Sequence, residues 1–176
     1  MYFPPWAFYT MKEWDKVNIF YLDSDLRTAA SYHCDKHVVK MILETTQVLS
    51  AVYHRYGADA PYKETHKNHP STKWAGDSSA NYVWLHLLGI ALCREYTKRY
   101  GKIHKCEQYL NNELRDPPPG IPHVEFCAPP QCMPDEYKVE GDTVAAYRNY
   151  YRGAKSSIAK WKYSDAPQFM SVTDEI

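Results

Sequence analysis

The 176-residue chain predicts a mainly α-helical fold: a single compact domain of about five helices, with one possible short N-terminal strand and a long proline-rich loop. Three observations carry this. Apolar residues recur at steps of three and four along two long stretches, each closed by a glycine, Gly57 or Gly101. Only one short run has the length and composition of a strand, and no internal repeat or low-complexity segment interrupts the pattern. Hydrophobic residues make up 44% and charged residues 24%, an ordinary globular balance in a chain long enough to bury a core without disulfides.

Met1–Lys16 has no periodicity and is set apart as an aromatic-rich extension, leaving 17–176 as the domain. Val17–Leu22 is an apolar run bounded by Asp23, Ser24 and Asp25, the candidate strand. A helix is expected to start at Ser24 or Asp25 and cover Leu26–Tyr32. The next either continues it or is newly capped by Asp35, and runs to about Tyr56 before Gly57 stops it. Pro70 drives His69 out of helical geometry and suits the first position of a short helical turn, which puts the His69 imidazole at a helix N-terminus. Asp77 or Ser78 caps a long helix from Ser79 to about Tyr100, with Tyr82, Leu85, Leu88, Leu92 and Tyr96 on its apolar side. A shorter helix, Ile103–Leu114, precedes Pro117-Pro118-Pro119-Gly120 and an irregular stretch to Gly141, either an ordered surface wrap or a lid. Asp142 caps a last helix, Thr143–Arg152, followed by a second helical piece, Ser156–Tyr163.

Lys plus Arg and Asp plus Glu both total 21, so net charge argues neither for nor against nucleic acid, and only local clustering can. The 16 tyrosines suit wet, aromatic-lined surfaces. Cys34, Cys93, Cys106, Cys127 and Cys132 are odd in number and unlike a secreted disulfide framework, so reduced thiols are expected. No run approaches a membrane span, and Met1–Lys16 lacks the apolar core of a signal peptide; the chain is expected to be soluble and intracellular.

His33, His37, Lys40, Glu44 and Gln47 alternate in steps of four and three, one polar stripe on a helix whose buried side would be Val38, Val39, Ile42, Leu49, Val52 and Tyr53. An ordinary solvated face gives the same stripe. However, Lys36 and Lys40 precede Glu44, against both the helix dipole and the better ion-pair order, and local rules are most often broken at functional sites. A lysine among apolar side chains can lose its proton and attack an electrophilic carbon, so Lys40 is the candidate nucleophile, Lys36 its rival, and Glu44 a proton carrier or cation stabiliser. A surface ion pair is the alternative. His33 and His37 with Asp35, or with His66 and His69 from the next loop, suggest a zinc or other divalent site, although no glutamate stands between the first two as in His-Glu-x-x-His. His123, Cys127 and Cys132 offer three soft ligands without a fourth. Cys34 beside the two histidines is either an activated thiolate or, more commonly, packed.

Nucleic-acid contact is suggested by two basic runs without acids: Lys98, Arg99, Lys102, His104 and Lys105, then Arg148, Arg152, Lys155, Lys160 and Lys162. Tyr147, Tyr150, Tyr151, Trp161 and Tyr163 are interleaved with the second run, as stacking rings or as core. Glycine-rich phosphate loops, Gly-x-Ser-x-Gly and Cys-x-x-Cys are absent.

Asn18-Ile19-Phe20, Cys34-Asp35-Lys36-His37-Val38-Val39-Lys40-Met41, Asn68-His69-Pro70, Trp74, Asn81-Tyr82, Trp84-Leu85, Glu95-Tyr96-Thr97, Arg99-Tyr100-Gly101-Lys102 and Tyr147-Arg148-Asn149-Tyr150-Tyr151 resemble a family of small tailed-phage proteins with no assigned activity. More distantly, the early Asn-x-Phe, the lysine-bearing helix with its glutamate, the Asn-His-Pro turn and the aromatic-rich helix resemble the pyrimidine-dimer DNA glycosylases. That resemblance implies a site lined by Lys36, Lys40, Glu44, His69 and Trp74, acting on a base flipped from duplex DNA. The phage dimer glycosylase uses the α-amine of an N-terminal threonine; here an extension precedes Asn18, and Lys40 is the expected replacement. The leading expectation is a phage DNA glycosylase with abasic-site lyase activity, cofactor-free, acting on DNA in the cytoplasm of the infected host cell. The alternatives are a metal-dependent hydrolase of nucleotides or nucleic acid, and a non-catalytic protein that binds nucleic acid or a host factor.

Overall fold

The computed structural model describes residues 17–171, which form six α-helices and two short 3-10 turns. Side-chain caps place the helix starts. Asp25 accepts from the Thr28 N–H at 2.9 Å and opens α1, Leu26–Tyr32. α2, Asp35–Arg55, has Cys34 rather than Asp35 as its N-cap and ends just before Gly57, whose φ of 75° is left-handed. His69 Nδ1 accepts from the Ser71 N–H at 3.1 Å and Pro70 is the first residue of α3, Pro70–Asp77. Ser78 caps α4, Ser79–Tyr100, and Asp142 caps α6, Thr143–Arg152. The 3-10 turns are Asp135–Tyr137 and Gln168–Ser171.

Three elements and one residue differ from the sequence expectation. Val17–Leu22 has no regular secondary structure, and among the described residues it pairs with no strand. All six of its residues are buried, and side chains satisfy part of its backbone: Glu44 accepts from the Asn18 N–H and Arg148 donates to the Leu22 carbonyl, while the Leu22 N–H donates to the Phe20 carbonyl. α5 is only Glu107–Asn111, because His104 Nδ1 accepts from the Cys106 N–H and holds the chain in a turn where the helix was expected to begin. Ser156–Tyr163 is not helical. Its Lys160 carbonyl accepts from the Asp35 N–H, and its Lys162 N–H donates to Asp35 Oδ2, so it crosses the start of α2 as a strap. Val39, expected inside, is 39% exposed.

α2 packs against α3 and α4, and α1 also rests on α4. A Cβ added to Gly89 would meet Thr45 Cγ2 and Leu110 Cδ1 at 3.1 Å, so a larger residue there would push on both side chains. The core takes several of the tyrosines expected at wet surfaces. Tyr82, Tyr147 and Tyr151 are fully buried, and each hydroxyl is hydrogen-bonded. The proline-rich stretch is an ordered wrap, tied down by Trp74 Nε1 to the Cys127 carbonyl at 2.9 Å and Asn18 Nδ2 to the Cys132 carbonyl at 3.0 Å.

Candidate active site

Lys40 and Glu44 sit one turn apart on α2, and their side chains meet: Nζ is 3.2 Å from Oε1. They differ in depth. The Lys40 side chain is 47% exposed and that of Glu44 only 7%, so the ammonium stands at the rim above a buried carboxylate. Oε2 of Glu44 accepts from the Asn18 main-chain N–H at 3.3 Å. Asn18 is held in turn, with Oδ1 accepting from the Tyr147 hydroxyl at 2.7 Å and Nδ2 donating to the Cys132 carbonyl. Cys132 Sγ lies 3.4 Å from Ser71 Oγ, and Ser71 is the residue that donates to His69. One hydrogen-bonded series therefore joins α2, the 17–22 segment, α6, the proline-rich wrap and the start of α3.

Burial sets the protonation along this series. It holds the Tyr147 phenol well above its usual range and raises the Cys132 thiol, so both are neutral. Burial, with the nearby His66, brings His69 down to about 4. Because its Nδ1 accepts a hydrogen bond, neutral His69 carries its proton on Nε2. A fixed buried carboxylate beside a half-exposed amine can exchange a proton with it, or stabilise a cation formed above it.

The histidines of the expected stripe lie elsewhere in the packing. His33 is buried, ends α1 rather than sharing α2, and donates from Nδ1 to the Ala29 carbonyl at 2.6 Å; burial lowers it to about 4. His37 faces inward, with Nδ1 2.7 Å from the Tyr151 hydroxyl and its ring stacked on Phe20 at 4.2 Å. Burial first, then the neighbouring His33, Lys155 and Lys40, push it down to about 2. Cys34 is packed in the same pocket of side chains, and burial raises its thiol, the reverse of an activated thiolate. Among the described residues no group of three or more His, Cys, Asp or Glu is arranged to hold a metal. His123 bonds Ser79 and Cys127 bonds Asn81, so these two are engaged separately.

The basic residues divide sharply. The Arg99 side chain is fully buried; it donates to the His33 and Ser31 carbonyls and pairs with Asp35 at 3.1 Å and Glu95 at 2.9 Å. Arg148 holds Asp23 and the Leu22 carbonyl and lies over Tyr32 and Phe169. Arg152 is bonded to Asn149 and to the Phe169 carbonyl. Lys155 is buried against the Tyr150 ring, Trp161 donates to the Tyr32 carbonyl, and Trp74 is buried with its indole N–H used. Lys36, Lys98, Lys102 and Lys160 are exposed. Tyr147, Tyr150 and Tyr151 are core rings, and Tyr163 is the one of the interleaved aromatics that is largely open, at 50%.

Sequence reasoning passed over Asn18 and Ser71 as site residues, and read Cys132 as a soft metal ligand and Tyr147 as a stacking or core ring. The signal for Asn18 was present: a single amide inside an apolar run must find buried partners.

The family described as pyrimidine dimer DNA glycosylase matches residues 17–108. Comparison with curated proteins and with solved structures gives no match. The matched span starts at the buried segment that carries Asn18 and contains α1 to α4, with Lys40, Glu44, Ser71 and His69. It covers just over half of the 176 residues, and the chain belongs to the pyrimidine dimer DNA glycosylase family.

Proposed function

We propose that this protein removes a damaged pyrimidine from DNA and then cleaves the strand as an abasic-site lyase, with the Lys40 amine as nucleophile and Glu44 as its proton partner. The contact between the exposed Lys40 Nζ and the buried Glu44 carboxylate, 3.2 Å apart, carries this reading. Neutral Nζ attacks C1′ of the flipped nucleotide while the bond from C1′ to the base breaks. The electron pair leaves on the base nitrogen, which takes a proton, and the amine proton passes to Glu44. Sugar-ring opening gives an iminium between Lys40 and C1′. Loss of a C2′ proton then expels the 3′ phosphate, and water releases the lysine. Glu44, fixed by the Asn18 N–H, supplies negative charge beneath the cationic stages. His69, joined to the site through Ser71 and Cys132, supplies in this reading a neutral N–H donor to a base or phosphate. The phage setting and action in the host cytoplasm extend the same reading.

The test is borohydride trapping on duplex DNA carrying a pyrimidine dimer. At saturating DNA the wild type is expected to give a covalent complex, Lys40→Ala none, and Lys36→Ala a normal yield. Trapping by Lys40→Ala at the wild-type level would remove Lys40 as nucleophile. Base release by the wild type without any trapped complex would remove the lyase step.

A further inference from the structure

Net neutrality conceals local clusters of like charge. The start of α2, the end of α4 and the 156–163 strap converge on Asp35, whose N–H donates to the Lys160 carbonyl, whose Oδ2 accepts from the Lys162 N–H at 2.7 Å, and whose carbonyl accepts from the Tyr100 hydroxyl. The following turn joins the same face, since His104 is hydrogen-bonded to the Val39 backbone. Lys36, Lys102, Lys160 and Lys162 are exposed there and form no ion pair among the described residues. Two carboxylates at this junction, Asp35 and Glu95, are occupied by the buried Arg99 guanidinium, while Glu107 and Asp165, close by in the chain, form no ion pair with these lysines among the described residues. The interior therefore takes up the Asp35 and Glu95 charges and leaves four surface ammonium groups outside any ion pair among the described residues.

Apolar groups are exposed among these lysines. Ile103 is 77% and Tyr163 50% accessible, and the Tyr163 ring is steadied by Tyr100 at 5.6 Å and by the Lys162 ammonium 5.2 Å from its centroid. By contrast, the proline-rich wrap carries exposed Glu125, Asp135, Glu136 and Glu140, and its Lys138 is paired with Asp135.

We propose that the surface formed by Lys36, Lys102, Lys160 and Lys162, with Ile103 and Tyr163 as its apolar contacts, grips the backbone of the DNA duplex on one side of the reacting nucleotide. This rests on the DNA-cleaving reading above and adds the surface that carries the substrate. Lys36 precedes Lys40 by one helical turn, a rise of about 6 Å, so the grip starts within roughly two base pairs of the reacting amine. The acidic wrap repels the duplex, and the bound DNA extends toward the strap.

The experiment is fluorescence anisotropy of the full chain on a dimer-containing duplex over a series of salt concentrations, with strand cleavage measured on the same samples. Lys102→Ala, Lys160→Ala and Lys162→Ala are each expected to reduce the slope of log K against log salt by about one, and the triple variant by about three. Ile103→Ala is expected to weaken binding several-fold at an unchanged slope. Lys67→Ala, which removes a lysine already paired with Glu64, serves as the control and is expected to leave the slope as it is. A triple variant that binds with the wild-type slope and affinity overturns this surface, even if it still cleaves DNA and the proposed activity stands. A wild type that binds through these lysines and never cleaves upholds the surface and overturns the activity instead.

Discussion

Within two turns of α2, two polar groups meet opposite fates. His37 is covered by Phe20 and the Tyr151 hydroxyl and is sealed into the core as a neutral imidazole. Glu44, seven residues on, is as deeply set, but Lys40 rises from it to the surface and connects it with solvent. Their helical spacing is equivalent; what differs is the chain packed over each. Over His37 lie the Phe20 ring and α6, whereas the Glu44 carboxylate accepts from the Asn18 main-chain N–H and its Lys40 partner stays half-exposed. A sealed polar group stabilises the fold at neutral pH, and an open one remains available for chemistry.

Glu44→Gln should sharpen this contrast most. Glutamine preserves the shape and can still accept from the Asn18 N–H, but it can neither take a proton from Lys40 nor offset a cation. Excision measured in single turnover is expected to fall by roughly 10²- to 10⁴-fold, the range for loss of a positioned acid–base group. Thermal unfolding should stay close to that of the wild type. Activity within a few-fold of the wild type would mean that Glu44 belongs with His37, as a structural group.

Acid should break the sealed side. His33 and His37 are held at about 4 and about 2 against an ordinary value of 6.5, so below pH 6.5 the unfolded chain takes up protons that the folded protein refuses. Their full contribution to stability is present above pH 6.5. It declines as pH falls from 6.5 toward 4, by up to about 1.4 kcal/mol per pH unit for each histidine. Urea unfolding between pH 7 and pH 5, where most carboxylates remain ionised, should show midpoints falling steadily. A flat profile would show that both imidazoles accept protons in place and that the pocket is not sealed.

The sequence made the backbone legible wherever a cap or a breaker supplied a local reason: Asp25, Pro70, Ser78, Gly101 and Asp142 mark helix ends that the structure keeps. It was misleading where side chains took over backbone hydrogen bonds, as at Val17–Leu22 and at the 156–163 strap, because those partners are remote in sequence. The pairing of Lys40 with Glu44 was legible from spacing alone. The interior fate of Arg99 was not, since its basic run contains no acid and its partners Glu95 and Asp35 come from the preceding turn of α4 and from α2. The polar series through Asn18, Cys132 and Ser71 spans 114 residues between its first two members, a separation no periodicity reaches.

Two buried tyrosines on α6 allow a finer comparison of the sealed and open sides. The Tyr151 hydroxyl accepts from the Cys34 N–H at 3.2 Å and lies against His37 Nδ1, so it serves the sealed pocket. The Tyr147 hydroxyl donates to Asn18 Oδ1 at 2.7 Å and thereby orients the residue whose N–H holds Glu44. Replacing either by phenylalanine removes one hydroxyl and leaves buried partners unsatisfied, a cost of about 1–3 kcal/mol in each case. The stability losses should therefore be alike, and catalysis should separate them. Tyr151→Phe is expected to keep the wild-type rate at a temperature where both variants are folded. Tyr147→Phe is expected to lower it several-fold, because Asn18 then keeps only its Cys132 and Ile19 side-chain bonds and its N–H is held less firmly against Glu44. Equal rates in the two variants would show that Glu44 is positioned by its contact with Lys40 alone, and that the Asn18 series belongs to the fold rather than to the chemistry.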